Sequence, residues 1–223
     1  MSMGIEDFQL VITEDGSHTL YNRKINESYH SRFGAITESK YIFIDNGLKS
    51  LKDNKINVLE IGFGTGLNAY LTCLYAIDKK LSINYTAVEK YPLQFDIFNK
   101  LNYSDILKKD KSLFTKLHLS PYNARYFFNS NFWLYKLHVD INDMHLTENY
   151  HLVYFDAFSP DIQPELWTET VFSNIYNNMM KNGILITYSA KGKVRRVLKS
   201  VGFIIETLPG PPGKREITKA IKK

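Results

Sequence analysis

Ile56-Asn57-Val58-Leu59-Glu60-Ile61-Gly62-Phe63-Gly64-Thr65-Gly66-Leu67-Asn68 is an apolar run that breaks into three alternating glycines and then resumes in an apolar stretch around Cys73. The run 56–61 reads as a buried strand and 67–77 as a helix. Glycines between a strand and a helix let the backbone approach a ligand at the helix N-terminus. The alternation continues downstream. Residues 82–89, 132–139 and 151–157 read as strands, and Pro92 suits the first turn of a helix. Pro164 opens a helix reaching about Met180, with Lys181-Asn182-Gly183 as its stop. A strand (183–189), a short helix (194–200) and a strand (202–208) follow. Pro209-Gly210-Pro211-Pro212-Gly213 then forces a tight connection into a last strand, 215–221. Residues 101–131 are mixed and carry no clear period. Strands alternating with helices predict an α/β fold with a mostly parallel sheet and crossover helices. The ending predicts an antiparallel hairpin at the sheet edge.

The N-terminal part has a different pattern. Two short alternating runs, 8–13 and 17–22, flank Asp15-Gly16, a hairpin signal. A polar segment containing Tyr29-His30-Ser31 follows, and 38–51 has apolar spacing that suits a helix. The expectation is one domain over 1–223, with 1–51 as a small hairpin-and-helix extension over the ligand site and 52–223 as a Rossmann-like core.

Two details narrow what the glycine loop holds. The dinucleotide fingerprint needs glycine at the sixth position, where Leu67 stands. Glu60, two residues before the first glycine, would repel a pyrophosphate and suits a ligand with an ammonium group, such as the methionine end of S-adenosylmethionine. No Gly-Lys-Ser/Thr follows, which argues against a P-loop. Three more acids stand at strand ends. Glu89 can take ribose hydroxyls, Asp140 can reach an adenine amino group, and Asp156 lies at the carboxyl edge where open α/β sheets bind ligands. Any one of them alone reads as a helix cap or solvated turn. Four at successive strand ends, with the loop, read as a site.

Composition sets the wider bounds. The chain has 223 residues, 44% hydrophobic and 23% charged, enough for one sizeable core. The single cysteine, Cys73, excludes an intrachain disulfide and reads as a core residue. No apolar stretch is long enough to cross a bilayer, and Met1 to Asp7 lacks the pattern of a signal peptide, so a cytoplasmic protein is expected. The net charge of +5 suits a polyanionic partner but equally an ordinary basic surface. Some of the 15 tyrosines and 14 phenylalanines belong to the core, and some are candidates for stacking on bases.

Asp156-Ala157-Phe158-Ser159-Pro160 followed by Pro164-Glu165-Leu166-Trp167-Thr168 resembles the Asp-x-Phe-x-Pro…Pro-x-x-Trp motif of the tRNA 5-methylaminomethyl-2-thiouridine methyltransferases, the MnmC type. Tyr29-His30-Ser31…Glu38-Ser39, the glycine loop, Ser189-Ala190…Arg195-Arg196 and Lys214-Arg215-Glu216 are similar to the same family. The resemblance covers most of the chain and is weakest over 100–131. It implies a class I S-adenosylmethionine-dependent methyltransferase with a seven-stranded sheet whose last strand is antiparallel. The implied reaction is methyl transfer to the exocyclic amine of 5-aminomethyl(-2-thio)uridine at the tRNA wobble position. The implied partner is tRNA, and the implied cofactor is S-adenosylmethionine, with neither metal nor FAD expected. The chain ends soon after Glu216, so a form without the FAD-dependent oxidase half is expected, with a separate enzyme supplying the amine. No membrane partner is expected, and a monomer is the default.

The candidate cofactor residues are Glu60, Gly62, Phe63, Gly64, Thr65, Gly66, Asn68, Glu89, Asp140 and Asp156. Asp156 is also the candidate catalytic group. It would accept a hydrogen bond from the substrate ammonium and orient the amine, with water carrying the proton away because a carboxylate of ordinary pKa is a poor sink. Phe158 can stack on the modified base, whereas Trp167 reads as core. Tyr29 and His30 are candidates for a lid. Lys191, Lys193, Arg195, Arg196, Lys214 and Arg215 are candidates for contacts with tRNA phosphates. The competing readings are a methyltransferase or aminopropyl-type transferase acting on a small amine, and a binding protein that keeps the fold without catalysis.

Overall fold

The computed structural model describes residues 5–223; Met1 to Gly4, part of the stretch read for a signal peptide, lie outside the described residues. Strands β1 (Phe8–Ile12), β2 (His18–Asn22) and β3 (Glu27–Ser28) form a small antiparallel sheet. Gly16, at φ +80°, makes the β1–β2 turn. Asp15 in that turn accepts hydrogen bonds from Ser17 N at 3.0 Å and from Thr37 N and Oγ1 at 2.8 Å each. Partial burial would raise its pKa, but these bonds, with those from Ser17 Oγ and Thr13, outweigh it and hold Asp15 at about 2. The ionised side chain ties the hairpin to α1 (Ala35–Ser39).

The helix expected over 38–51 is broken. After α1 the chain widens into a π-helical segment, Lys40–Asp45, and ends in a 3-10 turn, Leu48–Ser50. Ile42, Phe43 and Ile44 are all buried in succession, so packing against the sheet outweighs a regular one-sided helix.

The core then follows as β4 (Lys55–Ile61), α2 (Leu67–Lys79), β5 (Ser82–Glu89), α3 (Phe95–Phe98), α4 (Tyr103–Leu107), α5 (Lys111–Leu119), β6 (Arg125–Asn129), β7 (Phe132–His138), β8 (Tyr150–Phe155), α6 (Glu169–Asn177), β9 (Met179–Thr187), α7 (Gly192–Val201), β10 (Ile204–Pro209) and β11 (Glu216–Ile221). The main sheet runs β10-β11-β9-β8-β4-β5-β7-β6. Its five central strands, β9-β8-β4-β5-β7, pair in parallel. It has eight strands rather than seven, because the unassigned stretch 101–131 ends in β6, which pairs antiparallel with β7. The closing hairpin lies at the sheet edge as expected. Its last strand, however, is inserted between β9 and β10, and β10 takes the edge.

Three local expectations change. Pro92 precedes α3 by several residues instead of opening it. Pro164 starts only a 3-10 turn, Pro164–Leu166, and Thr168 caps the separate helix α6. Lys181-Asn182-Gly183 lies within β9, where Asn182 at φ +64° marks a register shift against β8. Both sheet faces are covered: Ile56 and Val58 of β4 join a core shared with α2 and the N-terminal segment, and Leu59 and Ile61 join one shared with α6 and α7.

Candidate cofactor and substrate cavity

The carboxyl ends of β4, β5, β7 and β8 open into a cavity of about 370 Å³, a size that suits a small ligand. The glycine loop forms its floor. Gly62 adopts φ +88°, and a Cβ there would lie 2.8 Å from the Asp156 carbonyl oxygen, so only glycine lets the loop press against the end of β8. A Cβ on Gly64 would meet the Tyr29 ring at 3.1 Å, which shows that ring lying directly on the loop. Tyr29 in turn packs edge-on against Phe158 at 4.9 Å between centroids. Together they wall one side of the cavity, one from the N-terminal segment and the other from the loop after β8; the expected lid pairs Tyr29 with His30 instead.

Thr65 locks the N-terminal segment to the loop. His30 Nε2 lies 2.7 Å from Thr65 Oγ1, and His118 Nε2 donates to the Thr65 carbonyl at 3.0 Å. Burial keeps both histidines neutral, with pKa values lowered to about 4 for His30 and about 3 for His118. Lys136, fully buried on β7, donates to the His118 carbonyl at 2.6 Å and lies over the Tyr122 ring at 4.3 Å. The loop is therefore held by the neutral histidines at Thr65 and by the Lys136 ammonium, which also lies 5.3 Å from the centre of the Phe63 ring.

The acids divide into distinct environments. Glu89 accepts from Gly64 N at 2.8 Å and Tyr91 N at 2.7 Å, and each oxygen keeps a lone pair for a hydroxyl. Burial raises its pKa despite these bonds. Asp140 pairs with Lys90 at 2.6 Å and caps the 3-10 turn Ile141–Asp143, which lowers its pKa. It lines the cavity and also serves as a cap. Asp156 accepts from Asn68 Nδ2 at 2.8 Å. Burial pushes its pKa up to about 7, the nearby Glu38 carboxylate adding to the rise. That corrects the expectation of an ordinary carboxylate: this group can hold a proton near neutral pH.

Glu60 is placed differently from the expectation. It is fully buried in β4 and does not line the cavity. Neither of its oxygens has a hydrogen-bond partner among the described residues. Tyr85 and Asn68 stand beside it and favour its anion in part, but burial and the charges of Asp156 and Glu89 push its pKa well above the usual range. Gly66 is also outside the cavity; at φ +71° it starts α2, packed under His118. Gly62, Phe63, Gly64, Thr65 and Asn68 do line it, as do Tyr29 and Phe158. Trp167 is core, as expected: it is buried against Phe155 and donates to the Phe158 carbonyl at 2.9 Å.

Residues 115–223 match a family described as S-adenosyl-L-methionine-dependent methyltransferase. The chain is 28% identical over 230 residues to the tRNA 5-methylaminomethyl-2-thiouridine biosynthesis bifunctional protein MnmC of Marinomonas sp., covering 92% of this chain and 32% of that protein. It is 30% identical over 228 residues to an uncharacterized protein of Methanocaldococcus jannaschii, covering 97% of this chain and 60% of that one. Among solved structures, MnmC2 from Aquifex aeolicus superimposes with a TM-score of 0.79 at 29% identity, covering all of this chain and 71% of the other. This chain is an S-adenosylmethionine-dependent methyltransferase related to the MnmC methyltransferase domain. It spans between about a third and three-fifths of the length of these two curated relatives.

The positive residues of this methyltransferase are not all free for phosphate. Arg195 makes a double contact with Glu216 Oε2, 3.0 Å from each terminal nitrogen, and so joins α7 to β11. Lys191 and Lys193 both pair with Asp161. Lys214 points into the cavity, where its Nζ lies 3.4 Å from Glu38 and 4.7 Å from the centre of the Tyr188 ring. Only Arg196 and Arg215 of the expected set are exposed without an ion pair among the described residues. Sequence reasoning missed Tyr188 and gave Glu38 no role. Glu38 stood inside a segment similar to the family, but nothing local to it announced that it would face Asp156.

Proposed function

We propose that this methyltransferase transfers the methyl group of S-adenosylmethionine to the exocyclic amine of 5-aminomethyl(-2-thio)uridine at the wobble position of tRNA. The observation that carries the reading is the charge of the cavity. Six carboxylates line it (Glu27, Glu38, Glu89, Asp140, Asp156 and Glu165) against two ammonium groups, Lys90 and Lys214, each paired with one of those acids. Such a site favours a cationic amine and disfavours phosphate. The tRNA part of the reading is supported by the relatives named for tRNA 5-methylaminomethyl-2-thiouridine biosynthesis and by the Asp156-Ala157-Phe158-Ser159-Pro160 segment.

The cavity fits the cofactor. Its glycine floor leaves no side chain at Gly62 or Gly64, and Glu89 presents a carboxylate to a diol. Gly62, Gly64, Asn68, Glu89 and Asp140 would hold the cofactor, which supplies an electrophilic sulfonium methyl when bound. Tyr29 and Phe158 exclude water above the loop and offer edges and faces to a base, where stacking contributes roughly 1–3 kcal/mol. Asp156 accepts a hydrogen bond from the incoming ammonium, takes its proton and leaves the amine lone pair free to attack. A pKa of about 7 suits it to both tasks. The test is transfer of labelled methyl to tRNA from cells that lack this modification. Wild-type protein is expected to label 5-aminomethyluridine, and Asp156→Ala to lose turnover by at least a hundredfold while keeping cofactor affinity. Unlabelled tRNA with active protein, or an Asp156→Ala protein with normal turnover at saturating tRNA, would refute the reading.

A further inference from the structure

One wall of the cavity is unexplained by cofactor binding. Glu38, from α1, is 8% exposed, and its Oε2 accepts from Ser31 N at 2.8 Å. Its Oε1 is buried without a hydrogen-bond partner among the described residues. A carboxylate oxygen left bare in a cavity is costly unless a donor arrives. The nearest cation is Lys214, at 3.4 Å, too poorly aligned to count as a hydrogen bond. The Lys214 ammonium also lies 4.7 Å from the Tyr188 ring centre. Tyr188 is oriented by its own hydroxyl, which donates to the Ala157 carbonyl at 2.9 Å, beside Asp156. Asp156 feels both Glu38 and Lys214. One weakly held ammonium thus lies beside an anion and an aromatic face, within the field of a second carboxyl group.

We propose that Glu38, Tyr188 and Asp156 form a subsite for a primary ammonium, and that Lys214 is its resident cation, displaced when the substrate amine enters. The subsite rests on the proposed amine methylation for its substrate, but its chemistry is independent of RNA. A CH2–NH3+ group carries three donors on a short stem, so it can satisfy Glu38 Oε1 and Asp156 together where the long Lys214 side chain satisfies neither fully. Lys214 sits just past the rigid Pro209-to-Gly213 turn, where Gly210 N bonds the Arg215 carbonyl at 3.0 Å. Its backbone can stay in place while its side chain swings out. This reverses the sequence expectation for Lys214, which was a phosphate contact.

The sign of one substitution separates the two roles. Benzylammonium is titrated into the full chain loaded with S-adenosylhomocysteine, with benzyl alcohol as the uncharged control. Lys214→Met, which removes the competitor, is expected to bind benzylammonium at least threefold tighter than wild type. Glu38→Gln, which keeps an acceptor for Ser31 N, is expected to bind it at least tenfold weaker. Benzyl alcohol should not distinguish the three proteins, and their S-adenosylhomocysteine affinities should match, which also reports correct folding. Equal benzylammonium affinities, or weaker binding in Lys214→Met, overturn the subsite. The same variants are then assayed on tRNA bearing 5-aminomethyluridine. Failure of wild type to methylate that tRNA, with the benzylammonium pattern intact, removes the tRNA reading and leaves the subsite. Methylation with unchanged KM in both variants does the reverse.

Discussion

A carboxylate held at pKa about 7 makes the chemistry of this site depend on pH with a definite sign. Below pH 7 the Asp156 carboxyl is protonated and cannot take the ammonium proton, so methyl transfer should fall as pH drops through 7, a loss read from initial rates between pH 5.5 and 8.5. Asp156→Asn should be nearly inactive and lack that limb. The same burial acts on stability. An unfolded aspartate ionises near 3.8, so the native state holds a proton that the unfolded chain has lost between about pH 4 and pH 7. Native stability therefore declines over that window and is flat above it. Asp156→Asn should raise the melting temperature of the cofactor-free protein at pH 8 and change it little at pH 4. A lower melting temperature for the variant at pH 8 would contradict this. Glu60 follows the same logic more strongly: it is fully buried with its pKa far above the usual range, so Glu60→Gln should leave the pH 7 melting temperature unchanged or higher.

The strand-loop-helix unit imposes its own constraint. Gly62→Ala places a methyl group 2.8 Å from a backbone carbonyl at φ +88°, and neither can yield cheaply. Strain of this kind costs about 1–3 kcal/mol, and because it moves the loop it should also weaken cofactor binding by tenfold or more in a calorimetric titration. Gly64→Ala is also strained, at φ +48°, but its Cβ meets the Tyr29 ring at 3.1 Å and no backbone, so it should disturb that ring and cofactor affinity with a smaller loss of stability than Gly62→Ala. At the other end of the sheet, Arg195 fastens α7 to β11 through Glu216, Thr218 and the Ile217 carbonyl. Arg195→Ala should lower thermal stability by about 1–3 kcal/mol and leave the salt dependence of RNA binding unaltered. A changed salt slope with unchanged stability would restore the phosphate role.

Across the whole molecule, a chain with net charge +5 carries a cavity dominated by acids. A polyanion reading this surface must keep its phosphates on the rim and present only a cationic substituent inward. The exposed Arg196 and Arg215 are the residues of the expected basic set left for that rim. Replacing both with alanine should reduce the slope of log affinity against log salt by roughly 0.7–0.9 per lost phosphate contact, measured with tRNA, without changing cofactor affinity. The topology gathers the groups of the cavity from distant parts of the chain. The central strands bring Glu89, Asp140 and Asp156 to one edge, and the two chain ends close over them, Tyr29 and Glu38 from one side and Lys214 from the other.

The parallel core and glycine loop were legible in the chain because their signals are local. A buried strand, a run of glycines at short spacing and an amphipathic helix are each written within about a dozen neighbouring residues. Strand-end acids were legible for the same reason. The stretch 101–131 was not, because α3, α4 and α5 are too short to show a period and β6 is an edge strand whose residues are mostly exposed. Charge was least legible of all. Arg195 and Lys214 look alike in a sequence, yet one finds Glu216 across a helix-strand contact and the other finds Glu38 from the opposite end of the chain. Glu60 and Asp156 are both acids at the ends of strands. Only folding buries the first behind Asn68 and leaves the second facing the cavity, because the depth of a carboxylate is set by what packs over it and not by its place along the strand.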